Sequence, residues 1–188
     1  MKKALIAFAI ASTLSTSAFA ADTYTIDARH TFPSFEVSHL GFSIQRGRFN
    51  KTSGTIMLDT AAKSGSIDIS IDATSLDTGL AELEKHMQGE EFFDTAKYPA
   101  ITFKSKSLKF DGDKLAGADG DFTLLGVTKP VHLTIDHFKC APHPMNKKAM
   151  CGANATTMIK RSEFGMTKYV PAVGDEVKIA IQVEAFRD

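Results

Sequence analysis

The chain has no tryptophan, only two cysteines and three tyrosines in 188 residues, and no net charge, with 22 basic residues against 22 acidic ones. Without an excess of positive charge or a basic stripe it lacks the electrostatic footprint of a nucleic-acid binder or of a protein held on an anionic membrane surface. After residue 20 no apolar run approaches the ~20 residues that a membrane-spanning helix needs. No G-x-S-x-G, H-E-x-x-H or glycine-rich phosphate loop is present, so the motifs of the common hydrolases and nucleotide enzymes are missing. Repeats, low-complexity tracts and interdomain linkers are also lacking. What is left is a single mature domain for which binding is expected ahead of catalysis, with an uncharacterised hydrolase or isomerase as a distant alternative.

The first twenty residues, MKKALIAFAIASTLSTSAFA, read as a secretory signal peptide. Lys2 and Lys3 form the positive segment, Ala4 to Ala11 the apolar one, and Ala18-Phe19-Ala20 the small-x-small pattern before cleavage. The mature domain is then 21–188, with 20 basic residues against 22 acidic ones once Lys2 and Lys3 are gone. Export predicts a periplasmic location and an oxidising environment, where Cys140 and Cys151 pair as a disulfide. A second reading is open: CAPHPMNKKAMC gathers Cys140, His143, Met145, Met150 and Cys151, a soft donor set suited to copper(I). That reading makes the protein a periplasmic metal-binding module. A disulfide would consume its two best ligands.

Period-two alternation dominates the mature chain. Val177, Ile179, Ile181, Val183 and Ala185 interleave with Glu176, Lys178, Gln182 and Glu184, and similar alternation marks 67–73 and 131–135. Weaker alternation at 56–58, 101–103, 122–124 and 155–159, with the segment FPSFEVSH, brings the count to about eight strands. Turn signals at Lys63-Ser64-Gly65, Asp111-Gly112-Asp113 and Thr128-Lys129-Pro130 separate them. One stretch, GLAELEKHMQGEEFF, predicts a short helix with Leu80, Leu83 and Met87 on one stripe and Gly89 at its stop. This pattern fits an antiparallel sandwich or closed barrel, and an eight-stranded barrel either fills itself or holds one small ligand.

The expected inward residues are Phe35, Val37, Phe42, Phe103, Phe122, Leu124, Ile159 and Phe164, a set rich in phenylalanine. A packed core and a cavity for a long hydrocarbon require the same inward pattern, so periodicity leaves both open. His39 shares the register of Phe35 and Val37 and is a candidate for a ligand's polar head; the alternative is a core histidine bonded to backbone. Beyond it, Leu40-Gly41 is expected to turn the chain. Arg161 shares the parity of Ile159 and either grips a head group or closes the barrel end structurally. Of Phe92 and Phe93, one is expected to reach the core and the other to pack under the helix. His86 follows Glu82 by one helical turn, a spacing that permits an acid–imidazole pair.

Several ordered motifs resemble the YceI family of periplasmic, lipocalin-like proteins: EVSHLGFS, SLDTG, KHM, EFFDTAKYP, ITFKS, GDFTLLGVTKPV and RSEFGM. The resemblance covers nearly the whole mature chain, and the cysteine pair is similar to that of one subgroup. It implies an eight-stranded antiparallel lipocalin-like barrel with one short helix. Its implied ligand is a polyisoprenoid lipid, a polyprenyl phosphate or quinone, or another long amphiphile. It implies no catalytic residue and no cofactor besides that ligand. Transport, storage and stress protection are all compatible roles, with transient contact to a membrane or membrane proteins where lipid is exchanged. The ligand-binding set is expected to be Phe35, Val37, His39, Phe42, Phe103, Phe122, Leu124, Ile159 and Phe164. The Leu80–Met87 helix and the Phe92–Phe93 segment are expected to form a mobile end.

Overall fold

The computed structural model describes residues 21–188. The expected signal segment 1–20 lies outside the described residues. The strands are β1 (Asp22–Ile26), β2 (Phe32–His39), β3 (Ser43–Phe49), β4 (Thr52–Asp59), β5 (Ser64–Asp72) and β6 (Leu76–Asp77). After α1 (Ala81–Met87), the one α-helix among the described residues, come β7 (Ala100–Asp111), β8 (Lys114–Leu124), β9 (Val127–Pro142), β10 (Ala149–Lys160) and β11 (Val173–Arg187).

Antiparallel pairing runs β1-β4-β5-β7-β8-β9-β10-β11, and the C-terminal part of β11 returns to β1 and closes the ring. The N-terminal part of β11 pairs with β2, β2 with β3, and β3 with β6. Thus β1 with β2, β3 with β4, and β5 with β6 are three interrupted strands, and the eleven segments make an eight-stranded closed barrel. Between β5 and β6 the Asp72 carboxylate accepts the Thr74 N–H at 2.9 Å and caps a single 3-10 turn. Closure leaves no long open edge around the ring.

The antiparallel order places the β2–β3 turn, α1 and residues 161–172 at one end, called here the helix end. The described chain ends and the Cys140–Cys151 loop lie at the other. Outward positions carry cross-strand ion pairs such as Lys104–Asp68 at 3.2 Å, on directly opposed residues. Each such exposed pair contributes about 0.2–1 kcal/mol. Inward positions are apolar, as Val177, Ile179, Ile181, Val183 and Ala185 of β11 show. This is the inverse of a membrane-spanning barrel, whose apolar residues face out toward lipid.

The disulfide Cys140–Cys151 joins directly opposed residues of β9 and β10 across a sequence separation of 11. A loop of that length gains roughly 3 kcal/mol in the chain-entropy account. With both thiolates consumed, the copper reading of the loop loses its two strongest ligands and keeps only imidazole and thioether donors, of which Met145 is solvent-exposed.

Candidate functional site

The barrel interior is a cavity of about 210 Å³, lined almost wholly by apolar side chains. Its lining reaches from Met87, Phe92, Phe93 and Met166 at the helix end to Leu115, Phe138 and Cys151 at the other. Along β11 it extends from Val173 to Ala185, roughly 40 Å of strand at about 3.3 Å per residue. The space is therefore long and narrow. An enclosed apolar void of about 150 Å³ already suffices to stay dry and take up a small hydrocarbon.

Two glycines shape its wall. Gly47 lies opposite Phe35 in the β2–β3 pair, and a Cβ there would come within 2.4 Å of Phe35 Cζ. A Cβ on Gly120 would meet Phe103 Cζ at 2.6 Å and the Lys104 carbonyl at 2.5 Å. Both positions let an aromatic ring come close to the strand backbone. At the helix end Phe49 and Phe93 meet edge to face at 5.4 Å, and Phe35 lies 6.1 Å from each. Phe92 packs under α1, with its ring 5.0 Å from His86. So Phe93 joins the inner aromatic group and Phe92 supports the helix, while both line the cavity. His86 contacts Phe92 rather than forming the acid–imidazole pair its spacing with Glu82 permits.

Few polar groups reach this space. Ser34 donates to the Ala180 carbonyl at 2.8 Å and Thr31 to the Glu184 carbonyl at 3.2 Å. Arg161 is buried and satisfied by backbone: Nε donates to Gly174 O (2.8 Å), Nη1 to Met166 O (3.0 Å), and Nη2 to Lys168 O (2.8 Å) and Val173 O (2.9 Å). Burial pulls its pKa below the ordinary value, and the nearby Asp175 carboxylate opposes that shift. These bonds fix residues 166–174 across the barrel end, a structural role. Thr52 differs. Among the described residues its Oγ1 is the one buried side-chain polar atom with no hydrogen-bond partner, and Thr52 lines the cavity.

Of the nine residues expected from sequence, Phe35, Val37, Phe103, Phe122, Leu124 and Ile159 line the cavity. The other three do not. Phe42 is 91% exposed at the tip of the β2–β3 hairpin. Its inward placement is corrected by the turn: Leu40 and Gly41 both take positive φ, 54° and 73°, and pair His39 with Ser43. That register sets Gln45 and Gly47 opposite the inward Val37 and Phe35, so odd positions of β3 face inward and Phe42 and Ile44 cannot. His39 ends β2 beyond the cavity and is exposed, which removes both interior roles considered for it. Phe164 is buried in the core cluster with Phe49, Phe93 and Ile159, edge-on to Phe122 at 5.6 Å, without lining the cavity. On α1, Leu80 is the cap residue and is exposed, while Met87 faces the cavity. Sequence reasoning missed Gly47, Phe49 and Thr52. A glycine within a strand signals close approach, but Thr52 carries no such mark.

The family model described as a YceI-like domain matches residues 24–185. The chain belongs to the YceI family. "Protein YceI" of Escherichia coli O157:H7 is 39% identical over 98% of this chain and 97% of that relative. Among solved structures, BcnA of Burkholderia cenocepacia is similar at a TM-score of 0.71 and 26% identity, covering 85% of this chain and 98% of that one. A domain from Saccharophagus degradans described as polyisoprenoid-binding is similar at a TM-score of 0.65 and 18% identity, covering 90% of this chain and 100% of that one. At that identity it supports this YceI barrel's fold alone.

Proposed function

We propose that this YceI-family protein is a non-catalytic periplasmic carrier that encloses one long-chain isoprenoid lipid, a polyprenyl phosphate or isoprenoid quinone, or a similar amphiphile. The observation that carries the reading is the long, narrow, apolar cavity running between the barrel ends. A prenyl chain in water is costly, and each buried CH₂ gains about 0.8 kcal/mol. A lining of Ile, Val, Leu and Phe suits such a chain, and few polar groups are needed to orient its head. Transport, storage and protection of the lipid all follow from enclosing it.

Entry is assigned to the helix end. α1 spans seven residues, none of them fully buried, and a helix that short has little stability of its own. It is held by Met87 and by Phe92 and Phe93 beneath it, so shifting this unit would uncover the cavity. The test is organic extraction of protein purified natively from the periplasmic fraction, followed by mass spectrometry. A stoichiometric long-chain isoprenoid is expected. Its absence, together with failure to bind added polyprenyl lipids, contradicts the proposal, as does recovery of the protein in the cytoplasmic fraction alone.

A further inference from the structure

Where the first strand of the barrel breaks between β1 and β2, three side chains converge on the outer wall. His30 Nδ1 lies 2.9 Å from Asp27 Oδ2 and 3.8 Å from Glu184 Oε2, and the three ligating atoms all lie within 4.8 Å of one another. We propose that Asp27, His30 and Glu184 form a site for a divalent transition-metal cation of the zinc class, distinct from the Cys140–Cys151 loop and from the lipid cavity.

Geometry and preorganisation support it. A tetrahedral ion with ligands at about 2.0–2.1 Å spaces its donors about 3.3 Å apart, between the two short separations seen here. One imidazole nitrogen serves only one of the two carboxylates. Its 2.9 Å partner is Asp27, which leaves Glu184 Oε2 beyond hydrogen-bond reach of the ring. A dication between the three would satisfy both. The ligands sit on backbone already fixed. Asp27 N donates to Glu184 O (2.9 Å), His30 N to Asp27 O (3.1 Å), and Glu184 N to Thr31 Oγ1 (3.1 Å). Arg29, through its backbone N at 3.0 Å and Nε at 3.3 Å, holds the other Asp27 oxygen and so orients Oδ2 toward His30. Such outer contacts are what aim a metal ligand.

The carboxylate–imidazole donor set suits zinc, and three protein ligands leave a fourth position for water. His30 and Glu184 open onto a surface groove that also contains His137, His143 and Met150, so an ion has a solvent path. Because Asp27 and His30 belong to the strand break and Glu184 to β11, a bound ion staples the seam at which the barrel closes.

The test is zinc titration of the metal-stripped mature protein, disulfide intact, by calorimetry or equilibrium dialysis, with cobalt(II) absorption as a second readout. One equivalent is expected to bind, raise the thermal midpoint and give a cobalt ligand-field band. Losing an outer-shell partner alone costs about 10–100-fold in metal affinity, so His30→Ala and Glu184→Gln are each expected to cost at least about 10-fold. His143→Ala leaves binding intact. Glu184→Gln keeps shape on a surface side chain and decides the matter if His30→Ala fails to fold. No zinc uptake by the wild type, or undiminished uptake by Glu184→Gln, overturns the proposal.

Discussion

The ring of Phe35 occupies the space that a side chain on Gly47 would fill: a Cβ at Gly47 would lie 2.4 Å from Phe35 Cζ, with Cε1 at 2.8 Å. Phe35 in turn packs beside Phe49 and Phe93, so this contact positions the aromatic group at the helix end. Gly47→Ala is expected to push Phe35 into the cavity and destabilise the fold by about 1–3 kcal/mol, as overpacked cores do. Urea denaturation checks it, and an unchanged midpoint contradicts the contact.

Thr52 Oγ1 is buried beside the cavity without a partner, and a buried unpaired hydroxyl costs about 1–3 kcal/mol. Thr52→Val keeps the shape and removes that cost, so the ligand-free variant is expected to be more stable than the wild type. If the lipid's polar atom bonds this hydroxyl, the variant also binds lipid more weakly. Thermal melts of delipidated protein decide the first point, and a lowered midpoint refutes it.

The Asp175 carboxylate accepts Ser162 N and Ser162 Oγ, both at 2.8 Å. These bonds, the backbone one foremost, with help from Arg161, hold its pKa below the ordinary 3.8. A lowered folded pKa means the unfolded chain takes up the proton first. The stabilisation is complete above about pH 5 and is lost as pH falls through the lowered folded value. Asp175→Asn is expected to shrink the stability difference between neutral and acid pH. An equal difference in wild type and variant argues against this linkage.

Opening at the helix end predicts a pattern of amide exchange. Residues 79–94 are expected to exchange faster than β10 and β11 in the empty protein and to gain protection when lipid binds. Protection across 79–94 that ignores lipid would place the entrance elsewhere.

The strands were legible because alternation survives wherever one face is wet: β11 can be read directly from Val177 to Ala185, whereas alternation left sandwich and barrel both open and the barrel came from the motifs that resemble the YceI family. The breaks within the first three strand lines were not legible, since each depends on tertiary geometry at 27–31, 50–51 and 73–75 rather than on local pattern. Alternation also says which residues share a face without saying which face is inside. At Phe42 the turn geometry at Leu40 and Gly41 decided that, against the even-numbered apolar series. The choice between packed core and cavity depends on the space between opposite walls, which no single strand encodes. Thr52 escaped notice for the same reason: an unpaired hydroxyl is defined by neighbours far away in sequence.

The most direct test of the lipid-carrier account is equilibrium binding of a polyprenyl phosphate or isoprenoid quinone to delipidated protein, comparing wild type with Ala155→Phe and Phe42→Ala. Ala155 is buried in the cavity wall, while Phe42 is exposed outside it. Saturable one-to-one binding is expected in wild type and Phe42→Ala. A loss of about 10-fold or more, some 1.4 kcal/mol, is expected in folded Ala155→Phe. Equal affinity in all three, or no saturable binding in the wild type, would contradict enclosure of the lipid within the barrel.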